Sequence, residues 1–171
     1  MKLENYQAQQ KFAQKHLLTL MDYTPDEIRQ CLALGLHLKA QLKAGKPHRH
    51  LEGKTLGMIF SKSSTRTRVS FEVGAVQMGG YPLFLSSHDI QLGRGETIHD
   101  TACVLSRMLD GIMIRTFAQS DVEGLAKYGS IPIINGLTDL VHPCQVLADM
   151  MTFYENGGDF TGKKLAYFGD G

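Results

Sequence analysis

Leu56-Gly57-Met58-Ile59-Phe60 runs directly into Ser61-Lys62-Ser63-Ser64-Thr65-Arg66-Thr67-Arg68, and Val69, Val73 and Val76 follow at helical spacing. An apolar run, a hydroxyl-rich turn and a striped helix in that order read as a strand feeding a helix. Three more short apolar runs recur downstream, Tyr81 to Leu85, Ile112 to Phe117 and Ile131 to Ile134. They are apolar nearly throughout rather than alternating, which suits strands covered on both faces, as in a parallel sheet.

Helical segments separate these runs. Thr24-Pro25-Asp26-Glu27 combines a capping box with a proline in the first turn, and opens a helix that runs to about Gly45. The valine-striped helix ends near Gly79-Gly80. Ile98, Ala102, Leu105 and Leu109 mark a third helix, Val122 to Tyr128 a short fourth, and Pro143 with Val146, Leu147 and Met150 a fifth. Alternation of this kind predicts an α/β fold, an open parallel sheet of about four strands with helices on both faces. Ligands of such sheets sit beyond the C-terminal ends of the strands.

The chain has 171 residues, 43% hydrophobic and 20% charged, the composition of one globular domain with a real core. Its 18 basic and 17 acidic residues leave a formal charge of +1, too little to hold a nucleic acid or an anionic membrane by its overall field. Anions must be gripped locally. Cys31, Cys103 and Cys144 are odd in number and lack the spacing of a zinc site, which points to a reducing, cytoplasmic setting. The segment Met1 to His16 has neither an apolar core nor a cleavage site typical of a leader.

The segment Ser64 to Arg68 has the outline of a phosphate cradle, with hydroxyls and free N–H groups at a helix N-terminus where the dipole favours negative charge by about 0.3–1 kcal/mol. An arginine fork adds a charge-assisted bond of roughly 1.5–3 kcal/mol and outweighs the dipole. Positions i and i+2 face different ways, so Arg66 is the expected anion ligand and Arg68 a structural partner of Glu72. A capped helix with solvated arginines would give the same string. Arg115, at the end of the third strand, and His142, before the fifth helix, are expected on the same rim. Convergence of Ser64, Thr65, Arg66, Thr67, Arg115 and His142 would join cations, hydroxyl donors and an imidazole.

Ser64-Thr65-Arg66-Thr67-Arg68 with Phe71-Glu72, Gln91-Leu92-Gly93-Arg94-Gly95-Glu96-Thr97, Asp110 to Arg115, Asn135-Gly136-Leu137-Thr138-Asp139 and His142-Pro143-Cys144-Gln145 stand in an order similar to that of the aspartate/ornithine carbamoyltransferase family. The last two strings resemble the ornithine branch. The resemblance implies that Ser64, Thr65, Arg66 and Thr67 hold the phosphate of carbamoyl phosphate, with Arg115 reaching phosphate and carbonyl oxygen. By the same resemblance, His142 and Thr67 polarise the carbonyl, Gln145 binds the carbamoyl amino group, and Arg115, His142 and Thr67 form the catalytic set. Arg94 would reach a neighbouring subunit's site in a trimer-based homo-oligomer. Neither metal, cofactor nor covalent nucleophile is implied, and Cys144 is expected to pack or position backbone.

The implied reaction is carbamoyl transfer to the side-chain amine of ornithine, giving citrulline and phosphate in arginine metabolism. Residues 1–150 would form the carbamoyl-phosphate-binding domain. Residues 151–171 would carry the end of a linker helix and, at Leu165 to Phe168 before Gly169-Asp170-Gly171, the first strand of a truncated ornithine-binding domain. On that expectation ornithine binds through the missing domain, and the chain alone turns it over negligibly. Two alternatives stay open: a non-catalytic phosphate- or carbamoyl-phosphate-binding module, and transfer to putrescine, acetylornithine or aspartate.

Overall fold

A computed structural model describes residues 3, 12–87, 89–92 and 95–169. Four parallel strands form one sheet in the order β2-β1-β3-β4, with β1 Thr55–Phe60, β2 Tyr81–Ser86, β3 Gly111–Arg115 and β4 Ile133–Leu137. The helices are α1 Pro25–Lys43, α2 Thr65–Gln77, α3 Ile98–Leu105, α4 Gln119–Tyr128 and α5 Pro143–Gly157. The α/β fold expected from the alternation is therefore the fold observed.

Strand pleating sorts the apolar side chains onto two faces. Ile59, Ile112, Ile114 and Ile133 point one way and are buried with Ala102 of α3 and Val122 and Leu125 of α4. Met58, Phe60 and Met113 point the other way, against Phe71 of α2. A separate cluster joins α1 to α5 through Leu32, Ala33, Leu147, Met150 and Met151. Gly57 owes its place to this packing: a Cβ there would lie 2.5 Å from Leu109 Cδ1. Leu109 lies past the end of α3 and fills the space over β1, so the stripe expected from Ile98 to Leu109 holds even though the helix stops at Leu105.

The capping box at Thr24 forms, the Thr24 hydroxyl accepting from Glu27 N–H at 3.2 Å while the Glu27 carboxylate accepts from Thr24 N–H at 2.9 Å. Two expectations are corrected, and the stripe of α2 gains a direction. The valine stripe of α2 exists but faces outward, with Val69, Val73 and Val76 exposed, because Phe71 and Ala75 are the residues turned to the sheet. The fourth strand begins two residues late, at Ile133. Pro132 lacks an N–H for the ladder, and its carbonyl instead accepts from Ile112 N–H at 2.9 Å. Leu165 to Phe168 form no strand and lie exposed.

The order β2-β1-β3-β4 places the topological switch between β1 and β3. The chain leaves β1 toward α2 and leaves β3 toward α4, so the two loops diverge and open a crevice at the strands' C-terminal ends.

Candidate anion-binding site

Helix α2 starts with its N-terminus at that crevice. Ser64 is the N-cap in an extended conformation, and its hydroxyl accepts from Thr67 N–H at 3.2 Å. The N–H groups of Thr65 and Arg66 have no acceptor among the described residues and open toward the crevice end of the helix. The same turn borders a second recess of about 420 Å³ on its β2 side, lined by Ser61 to Thr65, Arg68, Phe84 and Ser87.

Arg115 enters from the last position of β3. A ladder irregularity between Ile114 and Arg115 sets Arg115 opposite Leu137, skipping Gly136, where a Cβ would meet Met113 Sδ at 2.5 Å. The Arg115 guanidinium reaches Thr67 Oγ1 at 3.5 Å, a long contact, and its buried Nε has no partner among the described residues. The backbone around it is fixed, since Ser61 N–H donates to Arg115 carbonyl at 2.8 Å. Burial draws the Arg115 pKa below its ordinary value, although an arginine remains a cation at neutral pH.

His142 is the N-cap of α5, and Pro143 occupies the following helical position, where its fixed φ suits the first turn. Its Nδ1 is buried and likewise has no partner among the described residues. Burial first, and the neighbouring Arg115 charge second, hold the imidazole pKa below 6.5, with Asp149 pulling weakly the other way. His142 is therefore neutral at pH 7 and can donate one hydrogen bond without carrying charge.

The structure thus brings Ser64, Thr67 and Arg115 together at the mouth of α2, with His142 near enough to Arg115 to feel its charge. Thr65 and Arg66 are exposed in the same first turn, and the Arg66 side chain has no hydrogen-bond partner among the described residues. Arg68 turns away: its Nε pairs with Glu72 at 3.0 Å and its guanidinium lies 3.6 Å from the Phe84 ring centroid. Gln145 is exposed on α5 and donates from Nε2 to Asp149 at 2.9 Å, which leaves its carbonyl oxygen as an acceptor. Cys144 Sγ donates to the Asn135 carbonyl at 3.4 Å, and burial pushes its thiol up to about 11, so it is inert as a nucleophile. Arg94 lies outside the described residues.

Two supports were missed in the sequence. Lys62 forms an ion pair with Asp139 and lies 4.5 Å from the Phe117 ring centroid, tying the β1–α2 turn to the β4–α5 loop. Its signal was a lysine inside the hydroxyl string. Gln119 Oε1 accepts from Thr138 Oγ1 at 2.8 Å and from Asn135 Nδ2 at 3.3 Å, pinning the loop that leads to His142. No local pattern announces that link, because its partners are 16 and 19 residues apart.

Fold and site together define a class, parallel α/β domains that receive a small anion at a helix N-terminus beside the switch of the sheet. The family model of the aspartate/ornithine carbamoyltransferase carbamoyl-phosphate-binding domain matches residues 15–155, and the chain belongs to that family. A curated ornithine carbamoyltransferase of Oceanobacillus iheyensis is 64% identical over 167 residues, 98% of this chain and 52% of that protein. One from Pyrococcus horikoshii is 59% identical over 157 residues, 92% of this chain and 50% of its own length. The solved ornithine carbamoyltransferase of Pyrococcus furiosus superposes with a TM-score of 0.82 at 58% identity, over 84% of this chain and 46% of that one. The chain spans about half the length of these relatives.

Proposed function

We propose that this chain supplies the carbamoyl-phosphate site of an ornithine carbamoyltransferase, which moves the carbamoyl group to the side-chain amine of ornithine and releases citrulline and phosphate. The reading rests on one observation, the meeting of Arg115 and Thr67 at the N-terminus of α2 with His142 near enough to feel the Arg115 charge, two buried nitrogens being unpartnered among the described residues. In it the phosphate sits at the first turn of α2, held by the free N–H groups of Thr65 and Arg66, the hydroxyls of Ser64, Thr65 and Thr67, and the guanidinium of Arg66. Arg115 bridges phosphate and carbonyl oxygen.

Attack of the amine on the carbonyl carbon creates an oxyanion. Arg115, Thr67 and the neutral His142 are then preorganised donors whose bonds strengthen as that charge develops. Collapse breaks the bond to the phosphate oxygen, and the departing dianion is already matched by Arg66 and Arg115. The Gln145 carbonyl oxygen accepts from the carbamoyl NH2 and fixes its orientation. Ornithine is held by the part of the protein that the relatives carry beyond this chain's span, with residues 151–171 leading to it.

The same reading places the protein in the cytoplasm, in arginine biosynthesis, as a trimer-based assembly to which Arg94 contributes in trans. The free state of all three cysteines favours a reducing compartment, and the outward valines of α2 offer an apolar face for a second copy. No helix among the described residues is long and apolar enough to cross a membrane. Titration of the chain and of Arg66→Ala with a bisubstrate phosphonate tests the reading. Loss of about tenfold in affinity is expected for one charge-assisted contact, and equal affinities would remove Arg66 from the site.

A further inference from the structure

The three thiols occupy different surroundings. Cys144 is held to a carbonyl and pushed up to about 11, and burial raises the partly covered Cys31. Cys103 is exposed on α3. One turn earlier on the same helix face stands His99, whose Nε2 lies 3.9 Å from Cys103 Sγ. The other ring nitrogen, Nδ1, lies 3.1 Å from Asp100 Oδ1. Asp100 in turn accepts from the Thr97 hydroxyl at 2.9 Å, and these hydrogen bonds, that to His99 first, keep its carboxyl below the ordinary range.

This chain of contacts fixes direction. A carboxylate can only accept, so His99 Nδ1 carries the proton and Nε2 presents its lone pair to the thiol. The ring is also held edge-on by Tyr128 of α4, with centroids 4.8 Å apart. Tyr128 carbonyl, 3.9 Å from Sγ, is the other acceptor within reach of the thiol hydrogen. The titratable groups of the two packed helices are His99, Asp100 and Cys103 on α3 and Asp121, Glu123, Lys127 and Tyr128 on α4, with Arg107 just past α3. Asp121 is occupied by Thr116, and Lys127 lies over the Tyr128 ring at 5.1 Å.

We propose that Cys103 is a site of reversible disulfide modification, a surface thiol that His99 deprotonates and that takes low-molecular-weight disulfides. The thiol proton passes to His99 Nε2, and the Cys103 thiolate attacks one sulfur of the small disulfide. A bond forms between Cys103 Sγ and that sulfur as the original S–S bond breaks. The departing thiolate takes the proton back from His99 and leaves as a neutral thiol. No electrons are gained or lost overall, and the reverse exchange restores Cys103.

The test mixes the reduced full chain with oxidised glutathione and follows each cysteine by peptide mass. Cys103 is expected to react about tenfold faster than Cys31 or Cys144, because thiolate content and access govern the rate. His99→Gln should slow Cys103 about tenfold near pH 6.5 and much less near pH 9, where a thiol ionises unaided. Asp100→Asn, which releases the ring from its tautomer, should fall between. Continued protection of Cys144 certifies that each variant is folded. A Cys103 rate within about twofold of the parent in His99→Gln at both pH values would overturn the proposal, as would a Cys103 no faster than Cys144 in the parent.

Discussion

Removal of the Arg115 guanidinium is the sharpest perturbation of the site. Its side chain is half-buried at the end of β3, contacts Thr67 Oγ1 at 3.5 Å, and keeps Nε unpartnered among the described residues. A charge-assisted bond is worth about 1.5–3 kcal/mol, so at about 1.4 kcal/mol per decade Arg115→Ala should weaken binding of a phosphonate analogue roughly 10- to 150-fold. Arg115→Lys keeps the charge but loses the fork, and should fall between. Thr67→Ala removes a neutral donor worth about 0.5–1.5 kcal/mol, roughly 2- to 12-fold. Because the two side chains touch, the double variant should lose less than the sum by about 0.5 kcal/mol or more. Calorimetric titration at fixed ionic strength reads the parent and all four variants. Should Arg115→Ala bind within about twofold of the parent while keeping its near-ultraviolet dichroism, the guanidinium does not meet the anion and the reasoning fails.

The remaining expectations concern pH, packing and association. His142 is held below its ordinary 6.5 by burial and by Arg115, so the unfolded chain takes up a proton first as the pH falls. Folding free energy should therefore decline from pH 6.5 downward, and urea titrations of His142→Asn should show a shallower decline. Gly57→Ala places a Cβ 2.5 Å from Leu109 and should lower stability by about 1–3 kcal/mol. Measured in a Leu109→Ala background, the same change should cost less or nothing, since the clash is gone. Val73→Lys puts a charge on the outward face of α2 and should shift sedimentation toward monomer while leaving circular dichroism unchanged. An unchanged mass distribution would remove that face from any assembly.

Much of this molecule could be read before its coordinates, for identifiable reasons. A parallel strand covered on both faces has to be apolar throughout, which is why Met58, Ile59 and Ile112 to Ile114 announced themselves. The Arg68–Glu72 pair followed from helical spacing alone. The direction of the α2 stripe did not follow, because valines on an outward face and valines on a core face have the same period. Phe71 and Ala75 decided between them through packing on residues far away in sequence. The fourth strand shifted for a comparable reason: Ile131 and Pro132 extend the apolar run but not the ladder. At the site, the hydroxyl and arginine string was local and legible. Lys62 with Asp139, and Gln119 with Asn135 and Thr138, are long-range links that only the closing of the sheet creates.

Helix α2 presents its opening turn to the crevice and its valine side away from the sheet. A stiff rod of thirteen residues cannot shift at one end without shifting at the other. A partner on the valine side whose contacts change when the first turn is occupied would share a free energy with the proposed anion, and thermodynamic reciprocity would then require each to tighten or loosen the other by the same factor. Affinity for the anion should accordingly vary with protein concentration, and dilution becomes a control on the chemistry rather than a neutral step of handling.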